Sequence, residues 1–313
     1  METTTKLTAR LVQVARLYYE EDKSQQEIAD QMGVSRSLIA LYLKQAREQN
    51  IVRVEVVDPQ DQCEDLALEI QKHTGLKSVH VVPNPRNPEL VQRSLAGALA
   101  RQLENRLADG DLVGLGWGRT ITEVVNLLAP SRPRKIEVAP LLGESSFTAS
   151  YTQINQIVLR MAESFNGLPN FLFAPLIVGT SELRQALLQD NVAKPVAELW
   201  DRLDIACIGI GAVPPTPGQV LYMGEHYVNM YLEKGAVGDI VARHFDSRGR
   251  LIRTALDERI MGISLEQLRK VKNVIAIAGG PLKTKAVVGA IRTNSITGLV
   301  IDEELARAML LEL

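Results

Sequence analysis

Apolar residues along the first fifty positions recur at helical spacing. Leu7, Leu11, Val14, Ala15 and Tyr18 predict a first helix of about 14 residues with one buried face. Ser24 and Glu27 then stand in the S-x-x-E arrangement that caps a helix start, where hydroxyl and carboxylate each satisfy an unpaired backbone N–H. Gly33 ends that second helix, and Ser35 can cap a third that carries Leu38, Ile39, Tyr42, Leu43 and Ala46. So short a gap forces the two helices to cross steeply. Ala29 is small where they approach, and Ile28, Met32 and Val34 can fill the joint, which makes a helix-turn-helix. From Ile51 to Val57 the alternation of apolar and polar residues reads as a strand of a small wing or a hairpin edge.

The pattern changes near residue 58. Pro59 disfavours helix at Asp58 and marks a break; a helix from about Cys63 to Thr74 follows, stopped by Gly75. Beyond it, short β-branched runs at 79–83, 112–116, 136–142, 204–210, 274–278 and 298–301 alternate with stretches long enough for helices, among them 89–107, 120–128, 152–165, 265–271 and 283–292. Strands buried on both faces and alternating with helices specify an α/β fold with a mostly parallel, doubly wound, Rossmann-like sheet. The chain is therefore expected to comprise a small all-α winged helix-turn-helix domain (1–57), a linker helix (58–78) and a ligand-binding α/β domain (79–313).

Composition narrows the function. The 313 residues are 46% hydrophobic and 23% charged, so a sizeable core is available and disorder is excluded. No apolar run could span a membrane, and Met1 to Lys6 lacks the features of a signal peptide, so a cytoplasmic protein without membrane partners is expected. Cys63 and Cys207 lack metal-ligand spacing and read as reduced apolar residues; no metal or cofactor is expected.

A net charge of −2 leaves no global attraction for nucleic acid, and residues 1–57 hold eight basic and eight acidic side chains. Any DNA contact must come from a local patch. The third helix, with Arg36, Lys44 and Arg47 against Glu48, supplies one: its N-terminal residues would reach base edges in the major groove while Lys44 and Arg47 meet phosphates. Ser24, Gln25, Ser35, Arg36, Ser37, Ala40, Lys44 and Arg47 are the candidate DNA-binding residues. So few cations bind weakly in one copy, which calls for a homodimer or homotetramer.

In a doubly wound sheet, ligands bind beyond the carboxyl ends of the strands. The turn Gly114-Leu115-Gly116-Trp117-Gly118-Arg119-Thr120 leaves a strand and opens a helix, and its glycines, helix-start amides, cation and hydroxyl suit a phosphate. Arg119 stands where a dinucleotide fingerprint needs its third glycine. Gly143, Glu144, Ser145 and Ser146 could contact sugar hydroxyls, and Gly211 follows another strand. The long connection after Val213, with Gly224, Glu225 and His226, reads as a lid or binding loop that leads to Gly238 and Asp239. Lys283, after Gly279-Gly280, stands at the mouth of the sheet. The candidate ligand-binding residues are Gly116, Trp117, Gly118, Arg119, Thr120, Gly143, Glu144, Gly211, Glu225, Asp239 and Lys283. The competing class is an enzyme, a sugar-phosphate isomerase or deaminase with an appended helical domain. It would draw its acid–base groups from Glu144, Glu225, His226 and Asp239, with His73, His80 and His244 peripheral. No catalytic residue is assigned.

Taken together, Ser24 to Ala29, Gly33 to Arg36, Ile51 to Val54, Gly116 to Thr120, Ala174-Pro175-Leu176, Gly209 to Val213, Gly238 to Ile240 with Phe245-Asp246, and Ala278 to Gly280 with Lys283 resemble the SorC/DeoR group of bacterial sugar-responsive transcription regulators over about residues 7–312. The resemblance implies an effector domain similar to sugar-phosphate isomerases, regulation of operator DNA by a phosphorylated sugar or polyol, and tetramers that rearrange on DNA. It also implies that Gly116 to Thr120 hold the phosphate, Asp239 accepts from hydroxyls and Lys283 closes the site. Two departures stand out: Ala40-Leu41 occupies a place where the group often has Ser-Arg, and Leu142 stands where some members carry a Schiff-base lysine.

Overall fold

The computed structural model describes residues 2–49, 51–52, 59–85, 87, 90–145, 153–213 and 225–313. The chain divides into two compact units, Met1–Asp58 and Pro59–Leu313. Among its described residues the smaller holds three helices, α1 (Glu2–Tyr19), α2 (Gln25–Met32) and α3 (Arg36–Glu48). The predicted capping box forms: the Ser24 hydroxyl accepts from the Glu27 amide at 3.3 Å and the Glu27 carboxylate accepts from the Ser24 amide at 2.8 Å. Those hydrogen bonds hold the Glu27 pKa below the ordinary carboxylate value. Gly33 sits at φ +65°, a left-handed stop that glycine takes without strain. Leu11, Val14, Ile28, Ala29, Ile39, Leu43 and Ala46 close one core, so each helix buries one stripe. Ile51 and Val52 pack against that core; the rest of the expected strand to Val57 lies outside the described residues.

The larger unit opens with α4 (Pro59–Thr74), four residues earlier than expected. Pro59 opens this helix, where the amide it lacks would have no intrahelical partner in any case. Helix α4 buries Cys63, Leu66, Ala67 and Ile70 in the core of the larger unit. Seven parallel strands follow in the spatial order β1 (Ser78–Val82), β10 (Gly298–Asp302), β9 (Asn273–Ile277), β5 (Ile205–Gly209), β2 (Leu112–Leu115), β3 (Glu137–Pro140) and β4 (Leu168–Pro169). Alternate residues of the strands other than β4 feed opposite cores. In β5, Ala206 and Ile208 face one side, and Ile205 and Cys207 the other. Helices α5 (Val91–Arg106), α6 (Arg119–Asn126) and α7 (Ile154–Phe165) cover the latter face. Helix α4, the helices α8 (Ser181–Gln189) and α9 (Lys194–Leu199), and the C-terminal helices described below lie on the former.

A second, antiparallel sheet was not anticipated from sequence: β6 (Gly211–Ala212), β7 (Ala236–Ile240) and β8 (Arg243–Asp246). Its strands are too short, and too rich in glycine and charge, for the apolar alternation that marks a strand. Helix α10 (Glu225–Glu233) lies between β6 and β7, so nine residues of the connection read as a lid are helical; 214–224, with Gly224, lies outside the described residues. A four-residue α11 (Leu265–Leu268), α12 (Thr284–Arg292) and α13 (Glu303–Leu310) complete the unit. Cys207 is buried and unpaired, its thiol pushed up to about 12 by desolvation, as a reduced apolar residue should be.

Candidate functional site

The strand order fixes where a ligand can sit. From β2 the chain moves outward to β3 and β4, then returns to the other side of β2 with β5 and continues to β9 and β10. The loops after β2 and β5 therefore diverge, and the reversal leaves a crevice beyond their carboxyl ends. The glycine turn after β2 borders it. Gly116 donates to the Cys207 carbonyl at 2.9 Å, which ties the turn to β5, and Trp117 packs partly into both cores. Gly118 has φ +127° and ψ 160°, a backbone state essentially confined to glycine, and nothing lies within 4 Å of where its Cβ would stand. This conformation turns the chain directly into α6, whose first residue is the exposed Arg119 and whose second is Thr120. Opening amides, a cation and a hydroxyl thus share one helix start.

Opposite this turn, the Lys283 ammonium donates to the Ile210 carbonyl at 2.8 Å, in the segment that links β5 to β6. Burial lowers the Lys283 pKa, the Asp239 carboxylate works to raise it, and the Arg119 guanidinium lowers it further. Asp239 and Arg119, which precede Lys283 by 44 and 164 residues, are thereby brought within electrostatic reach of it. Asp239 is buried on β7, paired across the sheet with Gly211, and its carboxylate accepts from the Ala242 amide at 3.3 Å. Gly238 beside it is obligatory: a Cβ there would stand 2.6 Å from the Gly211 carbonyl oxygen and 2.7 Å from the Ala286 methyl.

Three expected residues do not join this group. Gly143 is buried and packed on backbone, since a Cβ would approach the carbonyl oxygens of Ala174 and Pro175 to 2.6 and 2.7 Å. The Glu144 carboxylate accepts from the amides of Ile154 and Asn155, at 3.2 and 2.9 Å, and so caps α7. The sequence reading took these two for ligand contacts because a loop after a strand gives no hint that a helix start will claim its acid. The same contacts explain the Ala174-Pro175-Leu176 motif, whose backbone brackets Glu144 through hydrogen bonds of 2.8 and 2.7 Å. Glu225 is exposed at the start of α10, and no described contact joins it to Lys283 or Asp239. Ser146 lies outside the described residues.

Two residues escaped the sequence reading. His244 is buried, not peripheral: it stands opposite Asp239 across the β7–β8 hairpin and stacks on Tyr231 with ring centroids 3.8 Å apart. Its Nδ1 has no hydrogen-bond partner among the described residues, and burial lowers its pKa while Asp239 and Asp257 oppose the shift. Asp302 caps α13 through the Leu305 amide at 3.1 Å and holds the Gly280 amide at 2.6 Å, fixing the loop that carries Lys283. An acid at a strand end followed by Glu303-Glu304 is an N-cap signal that could have found it.

In the smaller unit, Tyr18, Ser24, Gln25, Gln26 and Arg36 line a cleft of about 270 Å³. Arg36, Ser37, Ala40, Lys44 and Arg47 are all exposed along one face of α3, while Ile39, Tyr42, Leu43 and Ala46 are buried on the other. Ser35 is occupied as a cap, accepting from the Leu38 amide at 3.3 Å and sharing a hydrogen bond of 3.0 Å with the Ser37 hydroxyl. The Lys44 ammonium lies 3.8 Å from Glu48, a pair that a phosphate would have to displace.

Comparison with known proteins agrees with both halves. Residues 58–311 match the family described as "Putative sugar-binding domain", and residues 5–49 match region 4 of sigma-70 factors. The chain is 30% identical to the deoxyribonucleoside regulator of Bacillus subtilis, over 96% of its own length and 97% of that protein. It is also 30% identical to the sorbitol operon regulator of Klebsiella pneumoniae, again over 96% and 97% of the two chains. The crystal structure of the full-length K. pneumoniae sorbitol operon regulator superimposes with a TM-score of 0.76 at 27% identity, covering 96% of this chain and 98% of that one.

Proposed function

From the premise that this chain belongs to the SorC/DeoR group of sugar-binding transcriptional regulators, we propose that its effector is a phosphorylated sugar or polyol bound at the β2–β5 crevice. The sensing of a sugar by the larger unit and the reading of DNA by α2 and α3 follow from the family. The charge on the ligand rests on one observation: beside a glycine turn, the Arg119 guanidinium adds to the cost that burial puts on the Lys283 ammonium, with the buried Asp239 as a counter-charge. A phosphate between the two cations relieves that cost, and Asp239 is placed to accept from hydroxyls further along the same molecule. Relatives named for deoxyribonucleosides and for a sorbitol operon support a polyhydroxylated ligand.

Regulation then requires that the ligand bind the DNA-fitting and non-fitting arrangements with different affinity. Because the helix-turn-helix unit carries so few cations, we place it on DNA as a homodimer or homotetramer, acting in the cytoplasm. The relatives are named as transcriptional regulators, and Glu144, one of the acids an isomerase or deaminase would need, is spent on the α7 cap. Thermal unfolding against a panel of sugars, polyols and their phosphates tests the reading, since a ligand that prefers the folded state raises the midpoint by mass action. At least one phosphorylated compound should raise the midpoint and change the mobility of a promoter complex, while its unphosphorylated form does neither. Equal effects from both forms would remove phosphate from the recognition.

A further inference from the structure

The exposed face of α3 is charged or polar at its start, through Arg36 and Ser37, and basic further on, through Lys44 and Arg47. Between them it is apolar, with Ala40 and Leu41. Leu41 is 47% exposed and is the most exposed large hydrophobic residue described in the smaller unit. It does no core packing: Ile39, Tyr42, Leu43 and Ala46 close the core from the opposite face. Nor does helix formation require it, because lysine or glutamine would serve α3 equally well at an exposed position. A side chain of this kind placed one turn beyond Ser37, and flanked on both sides by cations suited to phosphates, lies where a recognition helix meets base edges.

Neither Ala40 nor Leu41 can donate or accept a hydrogen bond, so neither can read the polar code of the major groove. The one apolar feature that a base pair presents there is the C5-methyl of thymine. We propose that Leu41, with Ala40 beside it, reads thymine methyl groups, so that each operator half-site carries thymine under the middle of α3. Arg36 and Ser37 are left to read polar edges at the neighbouring positions. The inference rests on the placement of α3 in the major groove, which belongs to the family reading, and adds to it the identity of a base and the side chain that selects it.

The full-length chain and its Leu41→Ser variant are each used to select binding sites from a random duplex library. The thymines of the wild-type site are then replaced one at a time by deoxyuridine, which removes the methyl group and nothing else. Wild type should lose about fourfold in affinity at one or more of these positions, the value of one buried methyl group. Leu41→Ser should bind the thymine and uracil duplexes equally. Its salt dependence should match that of wild type, since no phosphate contact has changed. Unfolding midpoints within a degree or two of each other would show that an exposed substitution has left the unit folded. The proposal is overturned if every uracil duplex binds wild type as tightly as its parent, or if Leu41→Ser keeps the same preference for thymine. A selection that enriches no sequence overturns the DNA-reading role of α3 itself, and this inference falls with it.

Discussion

Replacing Gly118 by alanine isolates the backbone conformation at the centre of the crevice. At φ +127° and ψ 160° an alanine is strained by about 1–3 kcal/mol, and because nothing lies within 4 Å of the added methyl, steric contact contributes nothing further. For a unit of this size each kcal/mol moves the midpoint by about 2–4 °C, so a drop of about 2–12 °C is expected if the turn holds its shape. A suitable control is Gly209→Ala, where the residue has no left-handed φ and the nearest atom to the new methyl is the Trp117 carbonyl oxygen at 3.8 Å. Circular dichroism during heating reads the stability, and calorimetric titration with a sugar phosphate that stabilises wild type reads the site. Gly118→Ala should lose stability and effector affinity, or recover stability by letting the turn relax and lose affinity all the more. Its affinity for DNA without effector should stay at the wild-type level. A Gly118→Ala protein as stable as the Gly209→Ala control, with wild-type effector affinity, would refute the role assigned to this conformation.

Two further expectations concern residues around the site. Gly143→Ala should destabilise the larger unit by about 1–3 kcal/mol or more, because its methyl meets backbone carbonyl oxygens at 2.6 and 2.7 Å; a midpoint within a degree of wild type in a melting curve would show that the 174–175 segment yields freely. Stability should fall on acidification below about pH 6.5, where the unfolded chain takes up a proton that the buried His244, its pKa lowered by desolvation, refuses in the folded state. Denaturant titrations from pH 8 to pH 5 should show a shallower loss for His244→Phe, which keeps the stack on Tyr231; an unchanged slope would assign the acid sensitivity to other groups.

Much of the architecture could be read from the chain because its signals are local. A capping box at Ser24 and Glu27, a glycine stop at Gly33 and a hydroxyl cap at Ser35 act within one helical turn, so the helix-turn-helix was predicted nearly to the residue. The buried strands could be recognised by their β-branched runs, and their positions hold to within two residues at either end. Where the reading failed, the deciding partner was remote. Glu144 could serve a sugar or a helix, and only the arrival of α7 ten residues on decided it. His244 looked peripheral until β8 folded against β7 and set it beside Asp239 and under Tyr231.

The sequence alone determined which segments become helices and buried strands, that a glycine-rich turn follows β2, and that α3 carries cations on the face away from its core. These are consequences of periodicity, caps and side-chain chemistry over a few residues. Only the tertiary structure decided that successive strands switch from one side of β2 to the other, and that switch opens the crevice. It alone brought Lys283, Asp239 and Arg119 together, because charges couple through their distance in space, and distance along the chain carries almost no information about it.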